Sequence, residues 1–286
     1  MERRTFHAMG TEMELIVDAE DATAALDSAE AEFHRLEALL SRFRDDSELS
    51  RLNRDGSIDA GPDLLRVVEL ALAARDRTGG RFDPTVHDAV VAAGYDRSFE
   101  DIAPDSHVRC RAPDVIGRAV AGGGVSVEGT RIALDPGVHV DLGGIGKGYA
   151  AERAAELLGL AGPCLVNAGG DVATRGGSWP IGVGAADGFL TLELAGAALA
   201  TSGRDRRRWR RGGRELHHLI DPRTGAPAET DLLRVTVVAP DAVEAEVLAK
   251  ALFLAGADAA RAEADEAGIA AVLVTETRTM LAGGLA

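Results

Sequence analysis

The sequence predicts an α+β fold: antiparallel or mixed sheets with helices packed on them. Three observations carry this. Long helical patterns fill residues 22–77, short strand-like runs separated by glycine turns dominate 114–140 and 164–202, and two adjacent helical patterns at 242–267 stand between strand-like runs. Strands grouped apart from helices argue against a doubly wound parallel sheet. The chain has 286 residues, 46% of them hydrophobic, enough for a full core. With no linker-like stretch and no internal repeat, the expectation is a single domain over 1–286.

The elements follow in order. Residues 11–18 alternate as a strand, and residues 22–40 place Ala25, Leu26, Ala29, Phe33, Leu36, Leu39 and Leu40 at helical spacing. A short helix capped by Asp46 or Ser47 comes next, and a second amphipathic helix runs from Pro62 to Arg77, where Gly79 and Gly80 stop it. Phe82-Asp83-Pro84 opens another short helix. Turns at 122–124, 128–129 and 135–137 divide the β-like runs of 114–140, and His139 and Val140 read as extended up to Asp141. A helix over 145–158 precedes strands at 164–167, 181–185, 189–194 and 197–202. Residues 204–214 carry seven arginines around Gly212 and Gly213, which reads as an exposed hairpin tip. A strand at 233–239, helices at 242–255 and 257–267, and strands near 270–275 and 278–281 complete the chain.

Charge narrows the partners. A net charge of −15 argues against nucleic acid and anionic membranes, so any bound polyanion must be held by local positive charge. No window is apolar for long enough to insert in a membrane. Cys110 and Cys164 lie far apart without a C-x-x-C neighbour, as in buried thiols of a reducing compartment. With no apolar leader in the opening residues, the expected location is the cytoplasm.

Chemistry concentrates in a few segments. Asp141-Leu-Gly-Gly-Ile-Gly-Lys-Gly-Tyr-Ala150 puts a carboxylate, a glycine turn and Lys147 where a helix begins. Free N–H groups and the positive helix end attract anions there, although a merely tight turn would use the same residues. His217-His-Leu-Ile-Asp-Pro-Arg-Thr-Gly-Ala-Pro227 pairs an imidazole with a carboxylate at a proline turn. His218 could serve as a general base, and Asp221 could equally just cap the turn. Asn167-Ala-Gly-Gly-Asp171 and Thr201-Ser-Gly203 offer small residues, hydroxyls and backbone donors at strand ends, which is also ordinary turn chemistry.

Taken with His7-Ala-Met-Gly-Thr11, Leu40-Ser-Arg-Phe-Arg44, Asp46-Ser-Glu-Leu-Ser-Arg-Leu-Asn53 and Gly80-Arg-Phe-Asp-Pro-Thr85, these motifs occur in an order that resembles the flavin transferase (ApbE) family, the FAD:protein FMN transferases. The resemblance implies a T-fold-like α+β architecture and transfer of FMN from FAD to a serine or threonine hydroxyl of an acceptor protein, with AMP released. It places Met9, Phe43, Arg81, Phe82, Asp83, Asp141, Lys147 and Leu219 on FAD, with Gly170, Asp171 and Thr201 as further candidate contacts, and Gly144 and Glu246 on magnesium; Lys250 becomes a candidate FAD contact only through its departure from the family pattern. His218 matches the histidine that assists deprotonation of the incoming hydroxyl, and Asp221 holds its loop. Hydrolysis of the FAD pyrophosphate to FMN and AMP, and FAD binding without catalysis, are the rival readings.

The chain departs from the family pattern at the metal. Where the family has D-x-x-x-T, this sequence has Glu246-Val-Leu-Ala-Lys250. An ammonium has donors and no acceptor, so Lys250 cannot ligate magnesium as threonine would. Three arrangements fit the residues: a surface i, i+4 ion pair between Glu246 and Lys250, an ammonium standing in for the metal, or a weaker metal held by Glu246, Gly144 and water.

Overall fold

The computed structural model describes residues 1–102, 105–106 and 123–285. Seven α-helices lie among the described residues: α1 (Thr23–Leu40), α2 (Glu48–Asp55), α3 (Pro62–Arg77), α4 (His87–Ala92), α5 (Gly146–Leu158), α6 (Ala242–Ala255) and α7 (Ala257–Ala267). The chain divides into two compact units of interleaved segments. The first comprises Met1–Glu37, Ile145–Gly203 and Thr230–Ala286, and the second Ala38–Gly144 and Arg204–Glu229.

The first unit is built on an eight-stranded sheet: β1 (Glu2–Ala8), β2 (Thr11–Val17), β3 (Cys164–Ala168), β4 (Asp171–Arg175), β5 (Ala198–Gly203), β6 (Leu232–Ala239), β7 (Ala271–Thr275) and β8 (Thr279–Ala282). Spatial order equals chain order, and every pairing is antiparallel. Alternation sorts the faces. On β3, Cys164 bonds the Ala155 carbonyl of α5, whereas Leu165 joins Val172, Leu199, Val272 and Val274 in an apolar layer under the hairpin of Trp179–Ala185 and Gly188–Leu194. Burial pushes the Cys164 thiol up to about 11, as expected of a core cysteine. Gly148 of α5 faces α6: a Cβ there would lie 2.5 Å from the Ala242 carbonyl oxygen, so glycine permits the close crossing.

Strand β1 is absent from the sequence expectation because its alternation is masked by Glu2, Arg3, Arg4 and His7 on a half-exposed edge. It pairs in register with β2 through a two-residue turn, with both Met9 (φ 51°) and Gly10 (φ 69°) left-handed.

The second unit carries α2, α3 and α4 with three small sheets. Ser47 caps α2, accepting from the Ser50 N–H at 2.9 Å, so of the two expected caps the serine serves. Helix α3 has the bounds the sequence suggests, with Pro62 at its first turn and the Gly80 N–H closing back on the Arg75 carbonyl. Val125–Glu128 and Arg131–Leu134 form a hairpin extended by Ser57–Asp59. The expected runs at 114–122, and Cys110, lie outside the described residues.

The arginine-rich segment is a hairpin, Arg208–Arg211 with Arg214–His217, but it is not all exposed. Trp209 is buried, packs with Ala89, Val90, Ala93, Leu216 and Ile220, and donates to the Ala93 carbonyl at 3.0 Å. Arg208–Arg211 also pairs in parallel with Asp105–Ser106, so the sheets of the molecule are mixed as well as antiparallel.

Candidate functional site

In the first unit, Lys147 stands in the first turn of α5 with its side chain 15% exposed. Its ammonium lies 2.5 Å from Asp171 Oδ2 and 2.6 Å from Glu246 Oε1, both carboxylates buried. Glu246 Oε2 accepts from the Gly148 N–H at 2.9 Å. At the start of α5 a protein carboxylate, that of Glu246, is held by a helix N-terminal N–H and the adjacent ammonium. Asp171 arrives on β4 after a tight turn in which Gly169 (φ 67°) and Gly170 (φ 109°) need left-handed freedom, and Gly170 N–H donates to Asn167 Oδ1 at 2.9 Å.

Met9 has its N–H bonded to Glu37 at 2.7 Å, which secures its left-handed backbone at the β1–β2 turn. Thr201 on β5 pairs across the sheet with Thr236 through a hydroxyl contact of 2.8 Å. Lys250 lies one turn beyond Glu246 on α6 and is half-buried.

In the second unit, Asp141 is not at a strand end. Asn53 takes the place of a strand partner, its side-chain amide accepting from Val140 N–H and donating to Val140 O at 2.8 Å each, while Asp141 N–H donates to the Pro84 carbonyl at 2.8 Å. The Asp141 carboxylate accepts from Gly143 N–H and from the buried Arg42 guanidinium at 2.9 Å. Arg42 lies over the rings of Phe43 and Tyr95, 4.2 and 4.7 Å from their centroids, and donates to the Tyr95 carbonyl.

Asp83 is buried and caps the turn after it, accepting from both the N–H and the hydroxyl of Thr85. Phe82 is buried beside it, Arg81 is half-buried, and Phe43 is 39% exposed. The Pro84–Asp141 bond thus brings Asp83 and Asp141 into one local framework, with Arg42 and Phe43 attached to it. Gly144 closes this unit's first segment, half-buried in the glycine turn.

The histidine motif is also in the second unit. His217 is buried: Nε2 donates to the Ala228 carbonyl at 3.0 Å and Nδ1 accepts from Leu219 N–H at 3.3 Å, which sets the tautomer. Burial pushes its pKa below the usual imidazole value, outweighing the Ala228 bond that raises it. His218 is half-buried and follows the end of its strand, and Leu219 is buried. Asp221 caps the proline turn, accepting from Arg223 N–H at 2.9 Å and from the Arg223 guanidinium through both oxygens. Burial opposes its ionisation, yet the Arg223 bonds prevail and hold the carboxyl below its usual range.

Magnesium does not fit the residues present around Glu246. One carboxylate oxygen already accepts from an ammonium and the other from a peptide N–H, and Lys250 contributes no acceptor. Sequence reasoning anticipated Glu246 beside an ammonium, but not that Lys147, 99 residues away in the chain, would provide one. Arg42 was not singled out either, although its motif was, because a guanidinium between two rings leaves no trace in residue spacing.

The chain is similar to known proteins over most of its length. The model of the ApbE family matches residues 9–273, spanning segments of both units. The FAD:protein FMN transferase of Treponema pallidum is 31% identical over 266 residues, covering 83% of this chain and 73% of the relative, and that of Escherichia coli K12 is 26% identical over 278 residues, covering 91% and 79%. Among solved structures, the ApbE protein of Thermotoga maritima superposes with a TM-score of 0.87 at 26% identity, covering 98% of this chain and 96% of its own. The apo flavinyl transferase ApbE of Pseudomonas stutzeri gives 0.85 at 25% identity, covering 98% and 94%. On the family match and these likenesses together, the chain belongs to the ApbE family.

Proposed function

We propose that this chain is an FAD:protein FMN transferase, working as one domain over residues 1–286, in which ammonium charge takes the part that magnesium has in the family pattern. The name borne by its relatives supports the activity. The observation that carries the reading of the site is Lys147, an ammonium at a helix start held by two buried carboxylates. Such a charge is what a pyrophosphate meets on binding, and Lys250 adds a second on α6.

In this reading the acceptor hydroxyl oxygen attacks the FMN phosphorus, a new P–O ester bond forms, and the bridging P–O bond breaks so that AMP departs. His218 takes the hydroxyl proton. Asp221 acts through the loop: with Arg223 it fixes the turn that follows the histidine. Met9, Phe43, Arg81, Phe82, Asp83, Asp141, Gly170, Asp171, Thr201 and Leu219 are the candidate residues to serve FAD. Catalysis is then mostly positioning and charge neutralisation. A cytoplasmic location belongs to the same proposal and is supported by the buried, unreactive Cys164; no helix among the described residues is long and apolar enough to cross a membrane.

The test is incubation with FAD and an acceptor protein carrying an exposed serine or threonine, following AMP and acceptor-bound flavin. Transfer gives both in equal amounts. AMP with only free FMN supports the hydrolase, and retained FAD without AMP supports the binder. His218→Ala should lower kcat by about 10²–10⁴-fold with the fold intact.

A further inference from the structure

His87, Asp88 and His139 have no part in that reaction, yet they converge. His87 Nδ1 lies 2.9 Å from Asp88 Oδ1, and His139 Nδ1 lies 2.9 Å from both Asp88 oxygens. The two rings are 5.6 Å apart between centroids, tilted by 53°, so neither stacks on the other and both present an edge to the carboxylate. Among the described residues this is the one group of three histidine, cysteine or acidic side chains whose ligand atoms all lie within 4.8 Å of one another. All three side chains are partly open to solvent, at 20, 43 and 36% exposure, so an ion could reach them.

We propose that His87, Asp88 and His139 form a binding site for a divalent transition metal of the zinc class. Zinc bonds imidazole nitrogen and carboxylate oxygen at roughly 2.0–2.2 Å, which sets neighbouring ligand atoms of a tetrahedron about 3.3–3.5 Å apart. The distances here, from 2.9 Å to at most 4.8 Å, bracket that value. Two imidazoles and one carboxylate select zinc, cobalt, nickel or copper over magnesium, which prefers an all-oxygen shell. Three protein ligands leave a position for water. The proximity of the imidazoles already holds the Asp88 carboxyl below its usual range, the His87 hydrogen bond contributing most.

The ion would also have a structural consequence. His87 and Asp88 follow directly on the turn capped by Asp83, and His139 precedes Asp141, whose N–H is bonded to Pro84. A metal on these three side chains would make a second cross-link between the same two segments, those that carry Asp83 and Asp141. Loading should therefore stabilise this part of the second unit.

The experiment titrates zinc into the chelator-stripped full chain in excess magnesium, with cobalt absorption as a report of nitrogen ligation. We expect about one zinc per chain, a raised melting temperature, and weakening of at least about a hundredfold in His87→Gln and His139→Gln. Asp88→Asn, close in shape, guards against loss through misfolding, and His34→Gln on α1 should bind as the parent does. Absence of stoichiometric zinc, or uptake that survives the paired histidine substitutions, would overturn the proposal and leave a hydrogen-bonded triad.

Discussion

Two ion-paired groups, Lys147 with Asp171 and Glu246 in the first unit and Arg42 with Asp141 in the second, use opposite chemistry. Arg42 bonds one carboxylate and one carbonyl and lies over two rings, so its charge is paired and its plane is fixed within the unit. Lys147 is a point charge shared between two carboxylates. A planar fork fixed by stacking positions its partner, whereas an ammonium on a flexible stem can turn toward an arriving phosphate. Under the proposed function, Arg42 holds Asp141 in place and Lys147 is the group that meets the substrate.

The largest effect should come from Lys147→Met. It leaves two buried carboxylates without their cation, a loss of about 3–5 kcal/mol by urea denaturation, and FAD affinity should fall with it. Unchanged stability would mean that the two carboxylates are far better solvated than their burial implies. Arg42→Lys keeps the charge and removes the planar stacking, so about 1–2 kcal/mol of stability should go, with FAD binding weakened through Asp141 rather than abolished. If the two variants proved equal in both measurements, the contrast between positioning and meeting substrate would fail.

Smaller still is a pH effect that needs no substrate. Because His217 has a lower pKa folded than unfolded, the unfolded chain binds the proton more readily, and stability present above about pH 6.5 declines as pH falls below it. His217→Gln, whose amide can still donate toward the Ala228 carbonyl, should flatten that decline in denaturation curves between about pH 5 and 7. Asp221, with a depressed pKa, acts lower: its contribution is present above about pH 4 and is lost as pH falls through the folded value.

Much of this was legible in the sequence where a local rule applies. Pro62 and the Gly79-Gly80 pair bound α3, Ser47 caps α2, and apolar spacing marks α1 and the strand that carries Thr201; the strand that begins at Asp171 is not among the expected ones, because its Gly-Gly-Asp start reads as a turn. What escaped depends on distant residues. Asn53 completes the backbone bonding of Val140, so an extended segment exists there without a strand beside it. Gly148 looks like ligand-binding glycine, yet it also admits the α6 backbone. The ammonium of Lys147 finds Glu246 through the crossing of α5 and α6, which the i, i+4 spacing of Glu246 and Lys250 cannot reveal. Trp209 was hidden among arginines because polar neighbours on a hairpin do not disclose which face is buried.

If ammonium charge replaces magnesium, AMP release from FAD runs at the same rate in excess chelator as in magnesium for this chain, and a requirement for magnesium emerges in Lys250→Thr. A rate that collapses in chelator and returns with magnesium would contradict it.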